Sequence, residues 1–185
     1  AARRLFEAEG FAVIRHFWQM RIALNEEPPA PTWPAGITVR QFVPGRDERA
    51  AYETIEGAFE DHWGHDKRTQ QQWEEANMSS ENFDPSLWFL AFRGDEPAGA
   101  LLGFKRAEMG WVRGLGVLRP WRGRGLATAL LLHAFGEFFR RGERTVGLGV
   151  DAASLTGATR IYERVGMRVH HRYDLFEKTL GTNGR

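Results

Sequence analysis

Between residues 126 and 141 apolar side chains recur at helical spacing. Leu126, Leu130, Ala134 and Phe138 form one stripe, and Ala127, Leu131, Phe135 and Phe139 lie beside it. That wide apolar face predicts a helix from Leu126 to about Arg141, stopped by Gly142. Ala51, Ile55 and Phe59 mark a second helix over residues 47–61, and Thr69 with Gln72 three positions on reads as the capping pair of a third. Elsewhere the apolar residues run together or alternate, as strands do. The continuous run LWFLAFR (87–93) predicts a buried strand ended by the turn GDE. ITVRQF (37–42), AGALLGFKRA (98–107), GWVRGLGVL (110–118) and TVGLGVD (145–151) predict further strands. GATRIYERV (157–165) reads as a short helix and residues 167–178 as a last strand. The order βααβββαβαβ implies a mixed sheet with helices on both faces, neither a repeat array nor a barrel.

One segment occurs twice. Residues 2–24, ARRLFEAEGFAVIRHFWQMRIAL, lie without a gap over residues 158–180, ATRIYERVGMRVHHRYDLFEKTL. Ala2, Arg4, Glu7, Gly10, Val13 and Leu24 match identically, and Leu5/Ile161, Phe6/Tyr162, Phe11/Met167 and Phe17/Tyr173 match in kind. Both copies read as a short helix, a glycine stop and a long strand. Four prolines in NEEPPAPTWPAG (25–36) cannot continue a strand ladder and make a stiff linker. The expected organisation is the terminal helix and strand of a truncated first copy (1–24), the linker (25–36), one complete domain (37–180) and a flexible tail (181–185). Ala1 in place of methionine fits a chain that is the C-terminal part of a tandem protein. Residues 1–24 are expected to dock on the sheet of the same domain rather than swap with a neighbour. A homodimer is the other arrangement.

Composition narrows the chemistry. The 185 residues are 42% apolar and 26% charged, ordinary for a globular domain with a substantial core. A formal charge of +1 provides no global field toward nucleic acid or membrane, so any anion site must be local. With no cysteine there is no disulfide framework, thiolate metal site or thiol nucleophile. No apolar run reaches membrane-spanning length, and the start lacks a signal-peptide core, which makes the cytoplasm the expected location.

Against this background RPWRGRGLATAL (119–130) stands out. It joins a predicted strand to a predicted helix, whose first N–H groups lack intrahelical partners and carry the positive end of the macrodipole. Glycines at 123 and 125 remove side chains that would hold an anion away, while Arg119, Arg122 and Arg124 can surround it. That is a phosphate cradle. It is not a P-loop, since no Lys-Ser/Thr follows, nor a dinucleotide fingerprint, since the ribose acid is missing.

RGRGLA (122–127) matches the Arg/Gln-x-x-Gly-x-Gly/Ala signature of the GCN5-related N-acetyltransferases. GLGVLRPWRGRGLATALL resembles that family's fourth strand, pyrophosphate loop and third helix. VGLGVDAASLTGATRIYERVGMRV (146–169) resembles its fifth strand, fourth helix and following strand. The resemblance covers residues 37–180, and the duplicated layout resembles the tandem, mycothiol synthase-like members. It implies an α/β acyl-CoA N-acyltransferase fold with a mostly antiparallel sheet, and acetyl-CoA as cosubstrate without a metal. It further implies that the N–H groups of Arg122, Gly123, Arg124, Gly125, Leu126 and Ala127 hold the pyrophosphate. Leu115, Gly116 and Val117 would pair with the pantetheine arm, with the Val117 N–H polarising the thioester carbonyl. Tyr162 would return a proton to the departing thiolate. Ser154 stands where many members carry a cofactor-contacting asparagine, and its shorter reach puts that contact in doubt.

The base that deprotonates the acceptor amine is less determined. Glu108 is one candidate. FEDHWGH (59–65) falls where this fold borders the acceptor pocket, so Asp61, His62 and Trp63 are candidate acceptor contacts. His62 and His65 lack a third ligand of suitable spacing for a metal. The expected partner is a small-molecule or peptide amine, and the acidic AFED loop favours a cationic one. Two other readings stay open: a non-catalytic acyl-CoA-binding domain, and an RNA-binding module using RPWRGRG, against which the near-zero net charge argues.

Overall fold

The structure is a computed structural model that describes residues 2–154 and 157–179. In chain order the elements are α1 (Ala2–Ala8), β1 (Ala12–Ala23), β2 (Thr38–Gln41), α2 (Glu48–Phe59), α3 (Gln70–Met78), β3 (Trp88–Arg93), β4 (Glu96–Arg106), β5 (Met109–Val117), α4 (Leu126–Arg140), β6 (Thr145–Asp151), α5 (Ala158–Arg164) and β7 (Arg168–Glu177). The expected elements are all present. Thr69 and Gln72 form the reciprocal capping box at α3. Residues 181–185, expected as a tail, lie outside the described residues.

The strands make one seven-stranded sheet in the order β2-β3-β4-β5-β6-β1-β7. Every neighbouring pair is antiparallel except β5 and β6, which the α4 crossover leaves parallel. On one face Leu126, Leu130, Ala134, Phe135 and Phe138 of α4, with Tyr162 and Met167, pack on Met20, Phe89, Leu101 and Leu148. On the other face Ala51 and Ile55 of α2 and Trp73 of α3 pack on Trp88, Leu90, Ala100 and Leu102. β4 is buried on both faces from Ala98 to Phe104, which explains its unbroken apolar run.

β1 is an interior strand, between β6 and β7. Residues 25–36 therefore separate two pieces of sequence but not two sheets, since residues 12–23 share one sheet with the strands that follow the linker. The two copies of the repeat pair with each other. Phe17, which matches Tyr173 in the repeat, also faces it across the ladder. Ala12↔Glu177 is mirrored by Arg21↔Arg168, and His16↔Asp174 by Trp18↔Arg172; the bulge between Val13 and Arg15 is mirrored by that between Gln19 and Met20. A local twofold through Phe17 and Tyr173 thus relates α1–β1 to α5–β7. The relation fails in burial. Tyr162 is buried, whereas its counterpart Phe6 is 44% exposed and stacks only on Phe176 and edge-on to Phe11.

A buried carboxylate ties β2 to the start of α2. Asp47 accepts both guanidinium arms of Arg40, hydrogen bonds from Arg46, and the Val43 N–H at 2.8 Å. Burial alone would raise its pKa, but these hydrogen bonds outweigh it and hold the carboxyl well below the usual carboxylate range. A group so depressed stabilises the fold fully above its unfolded value near 4, and that contribution is lost as pH falls further. Asp47→Asn is expected to cost about 1.5–3 kcal/mol at pH 7. Urea titrations should show the gap between wild type and variant closing toward pH 2.

Candidate active site

The sheet opens between β5 and β6. Their parallel ladder runs Gly110↔Val146, Trp111↔Gly147, Val112↔Leu148 and stops there, although both strands continue. Along the far half of β5 the bonds to β4 fix which backbone groups face the opening. Val117 pairs with Gly99, and the next residue, Leu118, donates its N–H to Ala98 O at 3.0 Å. The N–H and C=O of Val117, and those of Leu115 two residues earlier, therefore point away from β4 into the cleft. Arg122 takes the Val117 carbonyl with Nε (3.0 Å) and the Ala58 carbonyl with Nη2 (3.0 Å). The Val117 N–H is left facing the cleft.

α4 begins beside this strand. Gly123 (φ 73°) and Gly125 (φ 84°) are both left-handed, a conformation that favours glycine, and nothing lies within 4 Å of where a Cβ would stand on either. The first intrahelical bond runs from Ala129 N–H to Gly125 O, so the donors before it open to the cleft. The cleft has a volume of about 720 Å³. Leu115, Gly116 and Val117 line one wall, Arg122, Gly123, Gly125, Leu126 and Ala127 another, and Tyr162 the floor.

A second cavity, of about 780 Å³, meets the first at Leu115, His62, Ala158 and Tyr162. Its walls are Trp111 and Arg113 of β5, Gly149 and Asp151 of β6, Phe17, Gln19 and Arg21 of β1, and Trp63 and His65 of the loop after α2. A Cβ on Gly149 would meet nothing within 4 Å, so the missing side chain makes the trough. Arg15 fixes Asp151 (2.7 Å) and lies over the Trp63 ring at 5.0 Å, tying that loop to β1.

Two titratable groups stand where the cavities meet. Burial pushes the Tyr162 phenol up to about 12, and its hydroxyl has no hydrogen-bond partner among the described residues. Burial also lowers the His62 pKa, aided by Arg122 and His65 and opposed by Asp151 and Asp61; the ring is neutral at pH 7. A protonated hydroxyl and a neutral imidazole thus share one junction.

The sequence between α2 and β7 matches a known family. Residues 49–167 fit the model of the acetyltransferase (GNAT) family. The chain belongs to that family. It is 37% identical over 185 residues to the mycothiol acetyltransferase of Thermobispora bispora, covering 90% of this chain and 58% of the relative. With that of Streptomyces scabiei it shares 35% identity, covering 97% of this chain and again 58% of the relative. The chain therefore spans little more than half the length of these relatives. A crystal structure of a GCN5-related N-acetyltransferase from Sphaerobacter thermophilus superposes with a TM-score of 0.84 at 50% identity, covering 95% of this chain and 55% of that one. The acyltransferase fold that the resemblance implies is thus the fold observed.

Among the residues singled out from the GNAT resemblance, the structure gathers most but not all. Leu115, Gly116, Val117, Arg122, Gly123, Gly125, Leu126, Ala127, Asp61, His62 and Tyr162 line the first cleft, and Trp63 the second. The arginines differ from their expected roles. Arg122 spends its guanidinium on two carbonyls, Arg119 is held by Asp61, and Arg124 stacks on Trp121 at 5.1 Å outside the cleft lining. Gly116 also has a packing reason: a Cβ there would come within 2.8 Å of Ala58 Cβ, where α2 presses on β5.

Asp61 lines the first cleft, where it pairs with Arg119, and neither it nor its neighbour Glu60 lines the second cavity. Glu108 sits in the exposed turn between β4 and β5 and lines neither cavity. Ser154 also lines neither. Gly149, Arg21 and Arg113 were missed. The paired glycines of VGLGV, two apart on one face of a strand, are the sequence signal that marks such a trough.

Proposed function

We propose that this chain carries an acetyl-CoA-dependent N-acetyltransferase site that acts on the primary amine of a small molecule or peptide, in the cytoplasm where acetyl-CoA is supplied. The observation that supports it most is the interrupted β5–β6 ladder. An outward-facing Val117 N–H lies there between a glycine-opened helix terminus and the hydroxyl of the buried Tyr162, which has no hydrogen-bond partner among the described residues. The cosubstrate would supply an acetyl group activated as a thioester. The residues present fit it: the donors from Gly123 to Ala127 suit a diphosphate, and the edge of β5 at Leu115 and Val117 suits an extended amide-bearing arm.

The chain's own groups then divide the work. Val117 N–H is a preorganised donor for a carbonyl oxygen that gains negative charge. Neutral His62 accepts the proton of the incoming ammonium, directly or through one water, and replaces Glu108 as the base. Tyr162 keeps its proton through the neutral range and donates it to the leaving sulfur. With its pKa raised, the phenol is a weaker acid than an unperturbed tyrosine. Its contribution rests on position, within the buried junction, rather than on a matched pKa.

We further propose that residues 2–24 are the closing elements of a first copy of the fold in a tandem protein. The local twofold at Phe17 and Tyr173 supports this, and so do the exposed Leu5 and Phe6, whose repeat partners Ile161 and Tyr162 pack in the core.

Calorimetry with CoA, followed by turnover of acetyl-CoA over a panel of amines, tests the main reading. Micromolar binding with acetyl transfer is expected. Binding without transfer to any amine would leave an acyl-CoA-binding domain, and no binding at all would remove both.

A further inference from the structure

The acceptor cavity has a cationic end that the acetyl-transfer reading leaves unused. Arg21, Gly147 and Trp111 stand in one row across β1, β6 and β5, since Arg21 pairs with Gly147 and Gly147 with Trp111. A Cβ on Gly147 would fall within 2.9 Å of the Trp111 ring, so that ring leans over β6 toward β1. Arg106 lies over the same ring at 5.3 Å. Arg113 follows two residues along β5. All three arginines line the acceptor cavity, and none lines the cleft at α4.

Among the described residues none of the three has a carboxylate partner, although the cavity's Asp151 has one in Arg15. The Arg21 Nε is buried without a hydrogen-bond partner. Arg113 donates only to Ala76 O, at 3.1 Å, and burial with the nearby Arg68 charge lowers its pKa. A buried guanidinium donor without an acceptor is costly to a fold and is relieved by an anion.

We infer that Arg21, Arg106 and Arg113 bind an anionic group of the acceptor, which is therefore an amine carrying a phosphate or carboxylate remote from its nitrogen. This rests on the acetyltransferase reading for the position of the nitrogen, near Leu115 and Tyr162. A strand advances roughly 3.3 Å per residue, which sets Arg113 about 7 Å and the Trp111 row about 13 Å from Leu115. The anion and the amine are separated by a distance in that range. The aromatic walls Trp63, Trp111 and Tyr173 suit the flat or sugar-like body between them.

The test compares amines that differ only in the anion. Glucosamine 6-phosphate against glucosamine probes phosphate, and 6-aminohexanoate against hexylamine probes carboxylate. Each is titrated calorimetrically into the protein with and without CoA, so that binding is read without turnover. At least one anionic member is expected to bind ten-fold or more tighter than its neutral partner, and the preference should shrink as salt rises. Arg21→Met and Arg106→Met should each cut it about ten-fold; Arg106 is exposed at the end of β4, so its variant keeps the fold. Equal binding within both pairs, or a preference untouched by both variants, overturns the inference. A blank CoA titration would instead sink the acetyltransferase reading, and the arm without CoA would still decide whether the anion end exists.

Discussion

Tyr162→Phe is expected to lower kcat for acetyl transfer by about 10²–10³ while the KM for acetyl-CoA stays within about two-fold. The substitution removes one oxygen and keeps the ring that α5 packs into the core, so melting should move little. The hydroxyl has no partner among the described residues, so no protein hydrogen bond is broken by its loss. What is lost is a proton donor needed only as the thiolate departs, and such a loss falls on kcat and kcat/KM alike. The pH profile carries a second signature. Burial holds the phenol at about 12, so wild type should show no basic limb from Tyr162 below about pH 11. The acid limb should follow His62, below the ordinary imidazole value, in both wild type and variant. Steady-state kinetics with calorimetric CoA binding checks both. A variant that bound CoA as wild type did and retained full kcat would return Tyr162 to a purely packing role.

Much of this site was legible in the sequence because its determinants are local. A helix start, two glycines and a preceding strand lie within a few residues of one another, and RPWRGRGLATAL displays all three. The side of β5 that faces the cleft follows from alternation once the strand is recognised. What the sequence hid depends on long-range register. Phe17, Gln19 and Arg21 enter the second cavity only because β1 inserts beside β6, more than a hundred residues away in sequence. Charge was the other blind spot. Asp61 and Arg119 each appear free in the sequence, yet they pair with each other in the fold. Nothing in the sequence around Glu108 reveals that the turn holding it faces solvent.

Gly125→Ala is the second large effect, expected to weaken CoA binding about 10–100-fold. Two consequences of one methyl group must be separated. The first is strain: at φ 84° an alanine costs roughly 1–2 kcal/mol of fold stability. The second is obstruction, because the Cβ points into open space at the mouth of the helix, where the donors are exposed. Gly142 separates the two. It has nearly the same φ, 85°, and equally open surroundings, but it lies at the far end of α4, away from the cleft. Gly142→Ala should therefore lose similar stability in a urea titration and bind CoA as wild type does. If the two variants weakened CoA equally, strain rather than obstruction would be the cause. The backbone cradle would then lose its claim to the diphosphate, since the arginines around it are largely committed to the protein. A difference of ten-fold or more at matched stability would locate binding in the main chain itself, where glycine, not arginine, is the residue that cannot be replaced.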